Sequence, residues 1–504
     1  MPAPFTYVDL FAGCGGLSLG LEQAGFKLAL AVEKSPMAAE TFFHNFIDRI
    51  TDQSAYDSFA SDATTVEEQA KRGLVVKELA AVLACKPVLQ RLKAEGIDLV
   101  AGGPPCQGFS LAGRRNPDDI RNKLPWQFLE FVEAVEPRAV IIENVAGMNQ
   151  NFKKHGRESP FDQLRLALMD TGPGYEVQPV RLNAMHFGAP QHRPRVMLLG
   201  LRKDVADRRA FRGSEQVWIS DYNRRDRLPF QPRPEIAPAT THLDKDILTV
   251  ADAIKDLTRT GYSRRSSISE FAKEMREDTS WMPSHIQVAH KRGKLSNHTL
   301  RKHANHIETR FRLYQYLKVE DIPAKVMGIP KLIEIPEDAR RLKVAQALEG
   351  ASIPARAPDR TVIAQSMEEL VDTFMQLGTK KHSQRALFWT KPSPTVVSLP
   401  DDYIHPLEPR TLTVRELARF QSFPDSFEFR AKETTGSLRR RVEVPQYTQV
   451  GNAVPPKMAK AVGLAVKAML EENQSLQQKS AASVPGEKHL PKSDRESEQI
   501  ELHR

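Results

Sequence analysis

The chain has 504 residues, of which 40% are hydrophobic, 27% are charged and three are cysteine. This balance excludes disordered and collagen-like proteins, and no apolar run reaches the ~18 residues that a membrane span needs. The first residues, MPAPFTYVDLF, lack the charged and apolar regions of a signal peptide. With so few cysteines, we expect reduced thiols and a cytoplasmic protein.

The net charge of +9 is unevenly distributed. Residues 201–400 hold 35 Lys and Arg against 25 Asp and Glu, so this segment carries the whole cationic excess. Such a segment is a candidate polyanion-binding region, although a solvated basic surface would give the same balance.

The first 200 residues alternate short apolar runs with helical patterns, which is typical of a doubly wound α/β sheet. The predicted strands are Tyr7–Phe11, Leu28–Val32, Ile97–Ala101, Ala139–Ile142 and Val196–Leu199. The predicted helices between them are Leu17–Ala24, Trp126–Val135 and Phe161–Met169.

The second half of the chain differs from the first in composition and in hydrophobic periodicity. From about residue 205, Pro, Arg and Ser become frequent and the alternation stops, until helical order returns near Leu412 and in Pro455–Leu470. We therefore predict an α/β domain over residues 1–204 and an irregular basic domain inserted over 205–410. Residues 411–471 are predicted to return to the first domain, and the polar residues 472–504 to form a disordered tail.

A glycine-rich turn, DLFAGCGGLS from Asp9 to Ser18, follows the first strand and opens the first helix. Its glycines permit a sharp turn and the close approach of a ligand. Ser18 stands where a dinucleotide fingerprint has its third glycine, which disfavours a pyrophosphate. Glu33, 20 residues after Gly13, ends the second strand and suits ribose hydroxyls. A nucleoside such as S-adenosylmethionine therefore fits best, and a glycine turn with a solvated glutamate is the alternative.

Cys106 follows two prolines in the segment GGPPCQGFS, after a predicted strand. The prolines fix the backbone at a strand end, where α/β enzymes place their chemistry, and Arg114 and Arg115 are cationic neighbours. This pattern favours a nucleophile over a small buried hydrophobe. Cys85 lies in an apolar helical run and Cys14 in the glycine turn, so we assign neither to chemistry.

Polar residues at two further strand ends are expected to face the same cleft. Glu143 ends a strand and has a carboxyl group for proton transfer, while Arg193 and Arg195 project on one side of an extended segment. Each alone could be a surface ion pair, but their convergence indicates a site.

Six blocks, in this order, resemble the bacterial DNA (cytosine-5)-methyltransferase family: FAGCGGLSLGLEQAGF, GGPPCQGFS, IIENVAGM, FGAPQHRPRV, RELARFQSFPDSF and QVGNAVPP. They cover residues 5–200 and roughly 385–470. The resemblance implies an S-adenosylmethionine-dependent methyltransferase fold with a target-recognition domain between the fourth and fifth blocks, here 205–410. It also implies that the GNAVPP segment returns to the cofactor side.

The resemblance implies a set of site residues. The catalytic residues that it implies are Cys106, Glu143, Arg193 and Arg195. The cofactor-binding residues that it implies are Asp9, Phe11, Ala12, Gly13, Gly15, Gly16, Leu17, Glu33, Asp62, Pro104, Asn452 and Val454. Phe11 is the preferred candidate for stacking on adenine, because Lys34-Ser35-Pro36 follow Glu33 where the family often has a suitable residue.

The resemblance also implies a reaction. Attack of the Cys106 thiolate on C6 of cytosine would make C5 nucleophilic, Glu143 would stabilise the adduct at N3, and Arg193 and Arg195 would hold O2. A base in a duplex cannot reach such a pocket, so the target must flip out.

Two basic features remain outside these blocks. Arg430–Tyr447 is longer than the usual link and contains Arg439-Arg440-Arg441, which we assign only to possible phosphate contact. His298, His303 and His306 have no nearby cysteine, so solvated histidines are favoured over a metal site and we expect no metal.

Two other functions stay open. Related enzymes use the same blocks on tRNA cytosine, and a DNA-binding regulator could keep the fold without activity. The long basic insertion favours duplex DNA, and the intact Cys106, Glu143 and Arg193 argue against an inactive protein. We expect a monomer that acts on duplex DNA, with no membrane partner, in a restriction-modification or orphan methylation role; a cognate restriction endonuclease would act separately.

Overall fold

A mixed sheet forms the centre of the computed structural model, which describes residues 3–105, 123–145, 159–223, 231–258, 268–289, 295–381, 383–436, 439 and 442–482. Its strands are β1 Thr6–Leu10, β2 Lys27–Val32, β3 Leu74–Val75, β4 Leu99–Gly102, β5 Ala139–Val145, β6 Tyr175–Asn183, β7 Pro194–Arg202 and β8 Trp218–Ile219. They lie in the order β3-β2-β1-β4-β5-β7-β6-β8. Only β7 within this sheet runs antiparallel to its two neighbours, β5 and β6.

Helices cover both faces of the sheet. Those that precede the inserted region are α1 Gly16–Gln23, α2 Pro36–Phe42, α3 Gln53–Ala60, α4 Val66–Lys71, α5 Leu79–Ala84, α6 Lys86–Glu95, α7 Leu124–Val135, α8 Pro160–Asp170 and α9 Lys203–Asp207. Neighbouring residues of one strand pack into different cores, as Tyr7 and Val8 of β1 do, because successive side chains of a strand point to opposite faces. The predicted doubly wound α/β fold is confirmed.

The later elements are shorter. The helices are α10 Val250–Ile254, α11 Glu270–Glu277, α12 Ser284–Ala289, α13 Asn305–Val319, α14 Glu337–Ala347, α15 Met367–Leu377, α16 Val414–Phe420, α17 Gln446–Asn452 and α18 Pro456–Ala482. Two small sheets pair β9 Ala355–Arg356 with β10 Val362–Ala364, and β11 Arg385–Ala386 with β12 Tyr403–Ile404. No helix within the described ranges is long and apolar enough to cross a bilayer.

The first part of the predicted insertion packs into the α/β body. The Trp281 ring lies 5.6 Å from that of Phe46 and 5.5 Å from that of Phe427, measured between centroids. Arg419 on α16 donates to the Asp256 carboxylate at 2.7 Å, with both groups buried. The described apolar residues between Val250 and Ile286 therefore share a core with elements on both sides of the insertion.

Residues 305–404, which we call the inserted unit, build a hydrophobic core of their own, although Leu387, Val396 and Tyr403 near its end pack in the core of the α/β body. Phe311 and Tyr314 of α13 pack there with Leu370 and Phe374 of α15 and with Ile404 of β12. The apolar contacts thus divide the predicted 205–410 domain into a part built on the α/β body and a part that forms a separate core.

Helix α18 brings the end of the described chain back to its beginning. A Cβ on Gly20 of α1 would lie 2.4 Å from the Cβ of Ala459, and one on Gly463 would lie 2.9 Å from the Cβ of Ala24. Glycines on both helices therefore allow a backbone approach that larger residues would block. The return of this segment to the first domain was predicted, but the helix continues to Ala482 rather than ending near Leu470, so residues 472–482 differ from the predicted disordered tail.

Candidate active site

The chain turns sharply between β1 and α1. Phe11, Gly13 and Gly15 have φ of 60°, 57° and 96°, in the left-handed region that glycine adopts freely and phenylalanine rarely does. A Cβ on Gly15 would lie 2.3 Å from the Phe46 ring, whereas one on Gly13 would meet no described atom within 4 Å. The turn therefore leaves open space over Gly13, next to the start of α1.

Glu33 lies at the end of β2 and is fixed by the same turn. Its Oε2 accepts the backbone N–H of Gly13 at 2.9 Å, and its Oε1 accepts that of Ser35 at 2.7 Å. Burial raises the pKa of Glu33, and these two hydrogen bonds lower it part of the way back. The half-buried carboxylate keeps lone pairs for ligand hydroxyls, since each oxygen accepts more than one hydrogen bond.

Asp9 is the buried acid of β1. Its Oδ2 accepts the Ser18 hydroxyl of α1 at 2.6 Å, while its buried Oδ1 has no hydrogen-bond partner among the described residues. Burial raises the pKa of Asp9 to about 7, against the lowering effect of the Ser18 hydrogen bond and with a further rise from Glu33. Asp9 thus holds the turn to α1 and keeps one acceptor oxygen unused.

The GNAVPP segment closes one side of the turn. A Cβ on Gly16 would lie 2.4 Å from the carbonyl oxygen of Val454, so only glycine permits this approach. Val454 is buried, and Asn452, at the end of α17, is exposed. The predicted closeness of the GNAVPP segment to the cofactor turn is therefore visible in the contact between Gly16 and Val454.

Glu143 and Arg195 form a buried ion pair between neighbouring strands. Arg195 Nε donates to Glu143 Oε1 at 2.7 Å, and the two side chains are only 11% and 12% exposed. Burial raises the pKa of Glu143, and the charges of Arg195 and Arg193 lower it part of the way back. A Cβ on Gly103 would lie 2.9 Å from Glu143 Oε2, so the start of the GGPPC segment passes directly beside this carboxyl group.

Arg193 is held in place by backbone carbonyl groups. Its guanidinium is 1% exposed and donates to the carbonyl oxygens of Val396 at 3.0 Å, Gly451 at 2.7 Å and Ala453 at 3.1 Å. Three backbone acceptors from two distant segments fix the side chain away from the solvent. Arg193 therefore joins the returning segments to β7, while Arg195 is the arginine that pairs directly with the carboxyl group of Glu143.

The remaining predicted residues are placed as follows. Ala12 and Leu17 are buried in the turn and in α1, and Pro104 is buried after β4. Asp62 is exposed in the turn between α3 and α4 and lies 3.9 Å from Lys77, which follows β3. Cys106, together with Arg114 and Arg115, lies outside the described residues.

Three polar residues that the sequence did not identify support this arrangement. Asn144 donates to the carbonyl oxygen of Pro104 at 3.0 Å and so fastens the loop before Cys106 to β5. Gln191 donates to Gln421 at 2.8 Å, and Gln421 donates to the carbonyl oxygen of Val450 at 2.6 Å. Their signal in the sequence was weak: each is an amide next to a more conspicuous motif residue.

Of the two described cysteines, Cys14 is a poor nucleophile by position. Cys14 is buried against the carbonyl oxygen of Gln449 at 3.6 Å, and burial raises the pKa of its thiol to about 12. Cys85 lies between α5 and α6, with Glu67 at 3.9 Å.

Basic and histidine residues outside the cleft are engaged in other ways. Arg301 pairs with Glu433 at 3.0 Å and lies 5.0 Å above the Tyr447 ring centroid. His298 contacts the Thr413 hydroxyl at 2.9 Å. Arg439 is exposed beside Glu443, while Arg440 and Arg441 lie outside the described residues. The described part of the chain contains no group of three or more His, Cys, Asp or Glu that could hold a metal ion.

Comparisons with known proteins agree on one family. The model for C-5 cytosine-specific DNA methylases matches residues 5–468. The chain is 27% identical over 458 residues to type II methyltransferase M.DdeI of Desulfomicrobium norvegicum, covering 90% of this chain and 86% of that protein. It is 28% identical over 485 residues to type II methyltransferase M.AgeI of Thalassovita gelatinovora, covering 91% and 98%. A prophage-encoded E. coli structure, described as a DNA modification methyltransferase, shares the fold with a TM-score of 0.51 and 22% identity over 93% of this chain and 99% of that one.

Proposed function

The chain belongs to the C-5 cytosine-specific DNA methylase family and is a DNA (cytosine-5)-methyltransferase, and from that premise we propose how and on what it acts. It methylates C5 of a cytosine flipped out of duplex DNA, through a covalent adduct with Cys106. The observation that carries this proposal is the buried Arg195–Glu143 pair, which lies against Gly103 in the segment that leads to Cys106.

The residues at the glycine turn fit S-adenosylmethionine, which supplies the methyl group when it is bound. The fit rests on the open space over Gly13, the unused Oδ1 of Asp9 and the half-buried carboxylate of Glu33. We assign the ribose hydroxyls to Glu33 and the adenine to the face of Phe11. Val454, in contact with Gly16, lies at the methionine end together with the exposed Asn452.

Cys106 starts the chemistry in this proposal. Its thiolate forms a bond with C6 of cytosine, and the electrons of the C5=C6 double bond then make C5 nucleophilic toward the methyl group. After methylation, a base removes the proton from C5, the double bond re-forms and the bond from C6 to sulfur breaks. Of the described thiols, that of Cys14 stays protonated because burial raises its pKa, which supports the choice of Cys106.

Glu143 and Arg195 support the adduct. Burial raises the pKa of Glu143, which favours a carboxyl group that shares a proton with cytosine N3. Arg195 fixes Oε1 of that group, which leaves Oε2 facing the Gly103 side for the base. Arg193 acts as a positioning residue, because its hydrogen bonds hold the GNAVPP segment in place.

We assign the reading of the DNA sequence to the inserted unit. Most of its apolar residues pack in a core of their own, so its surface can vary with little effect on the α/β body. The relatives M.DdeI and M.AgeI are type II methyltransferases. On that likeness we propose a restriction-modification role, in which a separate endonuclease cuts the same sequence when it is unmethylated.

A mechanism-based trap tests the covalent step. DNA with 5-fluorocytosine cannot lose fluorine from C5, so the wild-type protein should remain attached to it on a denaturing gel. Cys106→Ala should form no adduct and lose turnover while it still binds the cofactor, and Cys85→Ala is the matched control that should keep both. An adduct with Cys106→Ala, or methylation of tRNA but not of duplex DNA, would refute the proposal.

A further inference from the structure

Three cations lie against two aromatic rings on the inserted unit. The Nζ atoms of Lys318 and Lys391 lie 3.6 Å and 4.7 Å from the Phe388 ring centroid. Arg385, on β11, lies 5.5 Å from the Tyr403 ring centroid. Among the described residues, no carboxylate forms an ion pair with any of these three cations within 4 Å. We call Lys318, Arg385, Phe388 and Lys391 the Phe388 patch.

A cavity of about 400 Å³ adjoins the patch. The end of α13 forms one wall, with Lys318 and then Asp321, and β11 forms the other, with Gln384 before Arg385. Asp321 is the only carboxylate in this lining, so the cations outnumber it. The cavity therefore offers room for an anion beside two cations.

The Phe388 patch is connected to the strand that carries Arg195. Two residues after Lys391, the Ser393 carbonyl accepts the backbone N–H of His192 at 2.8 Å, and the Thr395 hydroxyl donates to the carbonyl oxygen of His192 at 2.7 Å. His192 lies just before β7. One short segment therefore runs from the patch to the edge of the catalytic cleft.

Like charges held close together favour the binding of an anion. The π face of Phe388 attracts ammonium groups but cannot neutralise them, so their mutual repulsion persists. Burial lowers the pKa of Lys318, and the charges of Lys391 and Arg385 lower it further. Arg301 differs, because Glu433 already neutralises it.

We propose that the Phe388 patch binds backbone phosphates of duplex DNA beside the target and so positions the duplex for the flipped base. The inference rests on the proposed action on DNA. Phosphate contacts fix register and orientation without reading bases, so the patch sets position and leaves sequence to other side chains of the inserted unit.

The salt dependence of DNA binding tests this inference. Dissociation constants of the full chain for a duplex oligonucleotide are measured by fluorescence anisotropy between 0.05 and 0.3 M salt (roughly the range in which such slopes are resolved). The variants are Lys318→Gln, Arg385→Gln and Lys391→Gln. Each should reduce the slope of log K against log salt by ~0.9 for each phosphate that the variant no longer neutralises. A change of this size is about an eightfold decrease in DNA affinity at ~0.1 M salt. Lys343→Gln, an exposed site on α14 that lines no part of the cavity, is the matched control.

The outcomes separate this inference from the proposed function. Under the inference, each of the three variants loses the same affinity for every DNA sequence tested. Each variant also raises KM for DNA but keeps kcat at saturating DNA, because the chemistry is untouched. Unchanged salt slopes, or an equal loss in Lys343→Gln, would overturn the inference while the function stands. A wild-type protein that does not methylate duplex DNA would instead overturn the proposed function.

Discussion

Removal of Arg195 should make the stability of the protein depend on pH. Arg195→Met keeps most of the side-chain volume but deprives the Glu143 carboxylate of the cation 2.7 Å away. A buried carboxylate without its partner takes up a proton, because burial penalises the charged form. In the wild type burial already raises the pKa of Glu143, and in the variant this pKa should rise further.

The size of the effect follows from this protonation. Stability contributed by a carboxyl group with a raised pKa is present below its unfolded pKa and is lost as the pH rises through the folded pKa. With an unfolded pKa of about 4.3 and 1.36 kcal/mol for each unit, protonation limits the loss in the variant to about 3.7 kcal/mol at neutral pH. The same limit is about 1 kcal/mol near pH 5. For comparison, breaking a buried ion pair by removing one partner typically costs about 3–5 kcal/mol of folding free energy.

Urea unfolding of the wild type and of Arg195→Met, repeated from pH 5 to neutral pH, measures this loss of stability. The difference between the two proteins should grow as the pH rises, and Arg195→Met combined with Glu143→Gln should lose this growth, because the amide does not titrate. A difference that is the same at both ends of the range, or a double variant as sensitive to pH as the single one, would refute the reasoning.

Two further variants separate the cofactor turn from the catalytic pair. Glu33→Ala should raise the dissociation constant for S-adenosylmethionine about tenfold to a hundredfold, because a hydrogen bond to a charged group is worth about 1.5–3 kcal/mol. The affinity for DNA should not change. Calorimetry that shows equal cofactor affinity in variant and wild type would remove Glu33 from the site. Gly103→Ala should lower kcat about tenfold to a hundredfold, because its Cβ would lie 2.9 Å from Glu143 Oε2. Gly436→Ala, with no described atom within 4 Å of its Cβ, should leave kcat unchanged, and equal rates in all three proteins would contradict the assigned geometry.

The strands that the sequence predicted were those with continuous apolar runs. Their order along the chain places the glycine turn at a strand end, whereas Glu143 lies two residues before the end of β5. Strand β6 (YEVQPVRLN) was not identified, because it alternates polar and apolar residues and contains Pro179, which normally argues against an interior strand. Strands β3 and β8 have two residues each, which is too short for any pattern. Residues 472–482 are polar but contain good helix formers, so polarity alone was a poor guide there.

Contacts between two side chains of the site could be predicted from the sequence, whereas contacts between a side chain and the backbone could not. Glu143 and Arg195 are complementary charges, so their pairing follows from residue types once the strands are neighbours. Arg193 is bound by carbonyl oxygens, which every residue carries, so nothing in the sequence distinguishes its partners. The cofactor contact assigned to Asp62 stays a prediction, for a residue that is exposed in the turn before α4.

The close packing of α1 against α18 has a consequence for the order of folding. The contact between Gly20 and Ala459 joins segments more than four hundred residues apart, and contacts of such long range form late because loop closure costs entropy. During synthesis, the apolar face formed by α1 and β1 stays uncovered until α18 has left the ribosome. The inserted unit, whose core is local, can fold before that moment. We therefore expect the part that contacts DNA to be assembled before the part that performs the chemistry.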